Sequence, residues 1–302
     1  MKNIVSKGKR AKGIKKEIQV LLKGLGKYTI ESGLIYFQSL LRSSVLYAAE
    51  AMYNVTKQEE RELEKIDEDV LRSTFFETVR GCPLYLLYLE AGVVPARFVI
   101  KRMKVVFLKV ILDQNIKSQL NQFMSAQKSE PTKGDWYSEV QEIMKEFNIK
   151  LTEDEIRKTN ENKYKKIVKE QTMKVAFKYL TSKQTSNVKN KGSQIKYTEL
   201  KLQQYLTPVS NLTLKEQREM FALRSQTNKT KSNFRKMKYL SETKCVKTCL
   251  EELTNSHITW CEKINSDSGL KFESLLNGTL MDQIDTYKQI KGNELIRNQM
   301  ND

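Results

Sequence analysis

The chain has 302 residues, 39% of them hydrophobic, which is enough for one sizeable core or two smaller ones. Its 53 Lys and Arg against 36 Asp and Glu leave a formal net charge of +17 and favour a polyanionic partner, a phosphate backbone or an anionic membrane face. No apolar run reaches the roughly 18 residues that span a bilayer, and the basic N-terminus lacks an apolar stretch ending in a small-residue cleavage site. A nuclear or cytoplasmic protein is expected, neither membrane-spanning nor secreted. Three of the four cysteines cluster late in the chain, so no disulfide framework is expected and a reducing compartment fits. With 4 Pro and 12 Gly, long stretches have few breakers, and the predicted class is mainly α: a string of helices in two or three helical subdomains.

Residues 2–27 carry nine Lys or Arg against the single acid Glu17. Ile14, Ile18, Leu21, Leu22 and Leu25 recur at spacings of three and four, which predicts a basic amphipathic helix broken at Gly24 and Gly26. Its basic face (Lys9, Arg10, Lys12, Lys15, Lys16) is either a solvated surface or a phosphate-binding one. A second helical period runs through residues 28–53. Thr56 and Glu59 then form a capping-box pattern that opens a helix through Leu63, Ile66 and Val70 towards Phe75. Gly81-Cys82-Pro83 stops it, and Cys82 reads as a buried or turn cysteine.

The block Leu84 to Leu112 is strongly apolar, interrupted at Gly92 and Pro95. Pro95 suits the first turn of a new helix, where its missing N–H costs nothing. Arg97, Lys101 and Arg102 punctuate that helix and are candidate phosphate contacts, while its apolar set packs. Residues 129–135 read as a loop whose Asp135 caps a helix through Trp136, Val140, Ile143 and Phe147. Thr152 and Glu155 form a second capping box, predicted to open one long charged helix towards Leu180. From Arg157 to Lys201 thirteen basic residues face three Glu, a further source of phosphate contacts. Thr181 to Ser193 is polar and reads as a linker. A short helix is predicted over Tyr197 to Leu206, stopped by Pro208, and a third capping box at Thr213 and Glu216 opens the next helix.

Cys245, Cys249, His257 and Cys261 have the spacing C-x3-C-x7-H-x3-C and fall within seventeen residues. Three thiolates and one imidazole make a closed tetrahedral Zn²⁺ set, structural because no position stays open for water. The alternative is chance clustering, with His257 an ordinary helix-face residue and the cysteines small apolar fillers. A polymerase needs paired acids on a tight hairpin to hold two Mg²⁺ ions, and no Tyr- or Phe-x-Asp-Asp element occurs. The cluster Asp67-Glu68-Asp69 lies inside a predicted helix and reads as a solvated face. No triad, P-loop or G-x-G-x-x-G pattern is present, so no catalytic residue is assigned.

Several segments resemble LINE-type (non-LTR) retrotransposon reverse transcriptases, in that family's order. Residues 44–56 (SVLYAAEAMYNVT) resemble the "LYgsE-W-x-lT" element after the polymerase palm, and residues 63–72 (LEKIDEDVLR) the "LE-x-x-De-x-x-LR" helix. Residues 87–98 (LYLEAGVVPARF) are similar to "LYLElG-x-lPiRf", and residues 127–136 (QKSEPTKGDW) to "Q-x-x-P-x-kgDW". The basic stretch from Leu223-Arg224 to Asn233-Phe234, with Arg235 and Lys236, precedes the cysteine cluster, which is similar to the family's closing knuckle. Departures are Met52 in place of Trp, Lys101-Arg102 in place of a paired Arg, and a stretched first knuckle spacing. The residues after Cys261 match nothing in the family.

The resemblance implies a catalytically incomplete C-terminal part of such an enzyme, from a diverged element or from the end of a longer reading frame. It implies a thumb-like basic helical region at 1–80, an apolar helical segment at 81–128 and a charged helical segment with linker at 129–195. A basic helical segment at 196–240, a zinc knuckle at 241–263 and a tail at 264–302 complete it. The implied partners are RNA, DNA and the polymerase-bearing part of the same element. A helical protein-interaction module with solubilising charges is the alternative.

Overall fold

A computed structural model describes residues 2–24, 29–51, 55–77, 82–132, 134–186, 195–225 and 277–292. The chain is mainly α, as its scarcity of breakers predicts. Among the described residues no strand occurs, only an isolated antiparallel bridge between Ala91 and Leu202. No described helix is long and apolar enough to cross a membrane.

In chain order the helices are α1 (Lys2–Gly24), α2 (Ile30–Tyr36), α3 (Ser43–Val45), α4 (Lys57–Val70), α5 (Leu84–Ala91) and α6 (Ala96–Asp113). They continue with α7 (Gln119–Ser129), α8 (Trp136–Glu146), α9 (Glu153–Lys158), α10 (Glu161–Thr185), α11 (Leu214–Arg224) and α12 (Leu280–Gly292). Wide π turns extend α2 over Phe37–Arg42 and α4 over Leu71–Phe76. The chain divides into two compact units, each assembled from three separate stretches. One comprises 1–19, 35–70 and 93–181, the other 20–34, 71–92 and 182–302.

The first unit is organised around α6, which packs against α4, α7, α8, α9 and the short turn Ala49–Ala51. Pro95 sits at its N-cap, so the helix begins where a missing N–H has no cost. Phe98, Ile100, Val105, Leu108, Ile111 and Leu112 are buried along it. Two lysines are buried with them, each compensated as a buried charge must be. The Lys104 ammonium donates to Glu139 at 2.5 Å, and that of Lys109 to Asp113 at 2.8 Å and to the Arg157 carbonyl at 3.2 Å. Tyr164 of α10 donates to the Val105 carbonyl at 3.1 Å, and Trp136 donates its indole N–H to the Glu50 carbonyl at 2.8 Å.

The predicted caps form. Asp135 accepts from the Ser138 N–H at 2.6 Å and opens α8. The Thr56–Glu59, Thr152–Glu155 and Thr213–Glu216 boxes are all reciprocal. Thr152 does not open one long helix, however. The α9 helix stops at Thr159, whose backbone is extended, and Asn160 starts α10 by accepting from the Asn162 N–H at 3.0 Å. An Asx side chain here offers the backbone an alternative to continuing the helix. The stretch read as a linker also begins later than expected, because α10 runs on to Thr185.

In the second unit, α5 and α11 pack with the turn Leu71–Phe76, and Phe76 lies against Phe221 with ring centroids 4.2 Å apart. Arg218 donates to the Thr74 and Phe75 carbonyls at 2.7 and 2.8 Å, satisfying acceptors left open at a helix end. Gln217 serves the opposite kind of end, accepting from the Ile30 N–H at 3.0 Å.

The expected helix over Tyr197 to Leu206 does not form. Leu202 bridges Ala91, the Gln203 N–H donates to the Glu90 carbonyl at 3.1 Å, and only the turns Gln204–Leu206 and Pro208–Ser210 are helical, both 3₁₀. Gly92 permits this approach. Its φ is +61°, and a Cβ there would lie 2.1 Å from the Leu202 nitrogen.

Candidate nucleic-acid interface

The basic residues singled out from sequence fall into two groups, those committed to acids within the fold and those left open. Arg97 is committed. Its guanidinium grips the Glu64 carboxylate with both Nε and Nη2, the second contact at 2.6 Å, and lies 4.9 Å over the Tyr179 ring. The Glu64 hydrogen bonds outweigh burial and raise its pKa further above the ordinary arginine value. Lys101 donates to Glu146 at 2.6 Å, and Lys15 to Asp69 at 2.6 Å. These three cations hold helices together, and a phosphate would have to displace their carboxylates.

Arg102 differs from both of its neighbours. It is partly buried and makes no hydrogen bond or ion pair among the described residues. Burial, and then the nearby Arg42 guanidinium, push its pKa below the usual arginine value. Arg42 itself is satisfied by Asp67, with Nε 3.2 Å from Oδ1 and Nη2 on Oδ2. Asp67 is therefore not on a solvated face as expected. It is 3% exposed and turned inward to a buried partner, while Asp69 serves Lys15.

On α1, Arg10, Lys12 and Lys16 are exposed and make no ion pair among the described residues, whereas Ala11, Ile18 and Leu22 are buried. Lys9 belongs to the same helix, with its side chain outside the described set. A groove of about 530 Å³ runs beside this face, lined by Arg10, Gly13, Ile14 and Glu17 of α1 and by Leu40, Ser43 and Ser44 opposite.

The α10 helix carries the longest open array. Tyr164, Val168, Thr172, Ala176, Leu180 and Gln184 are buried at every fourth position. Lys163, Lys166, Lys169, Lys174 and Lys178 lie on the exposed side without ion pairs among the described residues, Glu170 being the acid among them. Lys166, Glu170, Lys174 and Lys178 share one four-residue row, whose unit step is about 6 Å of helix axis, so three of its four positions are cationic. A rigid helix that presents unpaired ammonium groups at such steps can neutralise successive charges of a polyanion.

The four residues of the zinc motif (Cys245, Cys249, His257, Cys261) and the flanking Arg235 and Lys236 lie outside the described residues. Among the described residues no group of three His, Cys, Asp or Glu is placed to hold a metal ion, and Cys82 is buried with its thiol donating to the Pro83 carbonyl at 3.8 Å.

One cluster escaped the sequence reading. Glu90, fully buried on the otherwise apolar α5, accepts from Tyr197 at 2.5 Å, from Tyr205 at 2.6 Å and from Arg224 at 3.1 and 3.3 Å. Burial, and then the Glu90 charge, raise both tyrosine pKa values well above 10.0. Burial works against the charge of Arg224, but the Glu90 carboxylate prevails and holds the guanidinium protonated. The available signal was a lone carboxylate in the run Leu84 to Ala91, since a buried charge there demands partners.

No protein-family model, curated protein or solved structure matches this chain.

Proposed function

We propose that this chain is a nucleic-acid-binding segment related to the C-terminal part of a LINE-type reverse transcriptase, binding by phosphate neutralisation and carrying no polymerase site of its own. The observation that carries the binding claim is the open lysine array of α10, five exposed ammonium groups without an ion pair among the described residues and with the single acid Glu170 among them. The basic face of α1 and the uncompensated Arg102 add to it, and the ordered motif resemblance supplies the family. Arg97, Lys101 and Lys15 are assigned to internal ion pairs in this scheme. The donor set of Cys245, Cys249, His257 and Cys261 suits tetrahedral Zn²⁺ in chemistry and number, so we assign it a structural knuckle that adds a second contact to RNA or DNA.

Binding of this kind releases counterions, and log K falls linearly with log salt at a slope near −0.9 per phosphate neutralised on duplex DNA. Replacing Lys166, Lys174 and Lys178 together with alanine should flatten that slope by about three, since each phosphate contact contributes roughly one. A labelled oligonucleotide titrated between low and moderate salt reads this directly. An affinity independent of salt, or a slope unchanged by the triple variant, would overturn the assignment.

The rival reading, a helical protein-interaction module, draws on the exposed apolar residues Val110, Ile116 and Phe123. Partner binding that survives high salt, with no oligonucleotide binding, would select it.

A further inference from the structure

The groove beside α1 carries more information than a basic patch. Arg10, Gly13, Ile14 and Glu17 stand at i, i+3, i+4 and i+7 and so line one face of the helix. Leu40, Ser43 and Ser44 repeat that spacing on the opposite wall. Arg10 and Glu17 are exposed, carry opposite charges and are paired neither with each other nor with any described residue. Seven residues separate them, about 10 Å along the helix axis. Between them lie the apolar Ile14 and Leu40, the latter 44% exposed. Gly13 adds no side chain, and a Cβ built on it meets nothing within 4 Å, so the floor is open. Ser43 spends its hydroxyl proton on the Ser39 and Leu40 carbonyls, whereas the Ser44 hydroxyl makes no hydrogen bond among the described residues.

A cation at one end, an acceptor-only carboxylate at the other and an apolar strip between them suit one nucleotide of a nucleic-acid strand. In such a placement the phosphate would meet Arg10, the base would lie against Ile14 and Leu40, and the Watson–Crick edge of the base would reach Glu17. A carboxylate accepts and cannot donate. Among the bases, guanine offers it two adjacent donors, N1–H and the N2 amino group. In a duplex that edge is occupied by pairing. We infer that this groove is a subsite for an unpaired guanine nucleotide on a single strand, with Arg10 on the phosphate and Glu17 reading the base. The inference rests on the nucleic-acid reading above and gives it a strand state and a base preference. A bidentate base contact discriminates by roughly 1–3 kcal/mol, about 5- to 150-fold in affinity.

The test uses the full chain and fluorescein-labelled 12-mers of oligothymidine with a single central G, A, C or T, together with the G-containing strand annealed to its complement. The G-containing single strand should bind at least about fivefold tighter than the other three and tighter than its own duplex. Glu17→Gln should erase the base preference and leave the salt slope unchanged. Arg10→Ala should weaken all four strands alike and reduce the slope by about one. Glu17 is exposed and unpaired among the described residues, so an unchanged circular dichroism spectrum is expected for Glu17→Gln. Equal affinity for the four strands with a steep salt slope would overturn the guanine subsite and leave the phosphate-binding reading standing. So would a preference that survives Glu17→Gln, or tighter binding of the duplex. No binding of any 12-mer would overturn both.

Discussion

Removal of Glu90 tests how tightly the second unit is held by its buried charges. Glu90 and Arg224 are 0% and 1% exposed, so Glu90→Ala leaves a guanidinium in the core with no counter-charge. Breaking a buried pair on one side costs about 3–5 kcal/mol. The hydroxyls of Tyr197 and Tyr205 lose their acceptor as well, each an orphaned donor of roughly 1–3 kcal/mol. These penalties share one site and do not add in full, so the expected loss is about 4 kcal/mol. At a urea m value near 2 kcal/mol/M the midpoint should fall by about 2 M. A control separates the pair's net worth from the cost of breaking it. In Glu90→Leu, Arg224→Met, Tyr197→Phe, Tyr205→Phe the whole cluster becomes apolar at similar volume, and most of the stability should return. If Glu90→Ala costs less than about 1 kcal/mol, or if the fourfold variant is as unstable as the single one, the cluster is open to water and the reasoning fails.

Three further outcomes follow from the same structure. The raised pKa values of Tyr197 and Tyr205 mean that the folded state holds protons the unfolded chain gives up near pH 10.0, so stability should be retained below that pH and lost as pH rises beyond it. Alkaline denaturation followed by circular dichroism should show this limb, and Tyr197→Phe with Tyr205→Phe should flatten it; an unchanged limb would count against those two residues. Gly92→Ala places a Cβ 2.1 Å from the Leu202 nitrogen at φ +61°, and neither backbone can give without losing the Ala91–Leu202 bridge. A loss of at least about 2 kcal/mol in urea is expected from the left-handed conformation and the displaced backbone together, and a neutral result would contradict the close approach. Purified protein should hold one equivalent of zinc by metal analysis, reduced in Cys249→Ser, and equal metal content in the two would discard the knuckle.

The helices were legible in the sequence because their signals are local. Thr56–Glu59, Asp135, Thr152–Glu155 and Thr213–Glu216 open helices by bonds spanning three residues, and Pro95 and Gly92 punctuate by backbone geometry alone. The net charge of +17 and the excess of Lys along α10 were equally plain, since composition needs no fold to be read. What the sequence could not decide was which cations remain free. Arg97 and Arg102 lie five residues apart on α6, yet one is clamped by Glu64 from α4 and the other has no acid partner among the described residues. That difference depends on residues more than thirty positions away, and only tertiary packing brings them within reach. The same holds for Glu90, whose partners Tyr197, Tyr205 and Arg224 stand 107 to 134 residues along the chain. Their approach also replaced a predicted helix over Tyr197 to Leu206 with bends, the Leu202 bridge and a 3₁₀ turn, because burying three polar groups on one carboxylate outweighed local helical periodicity.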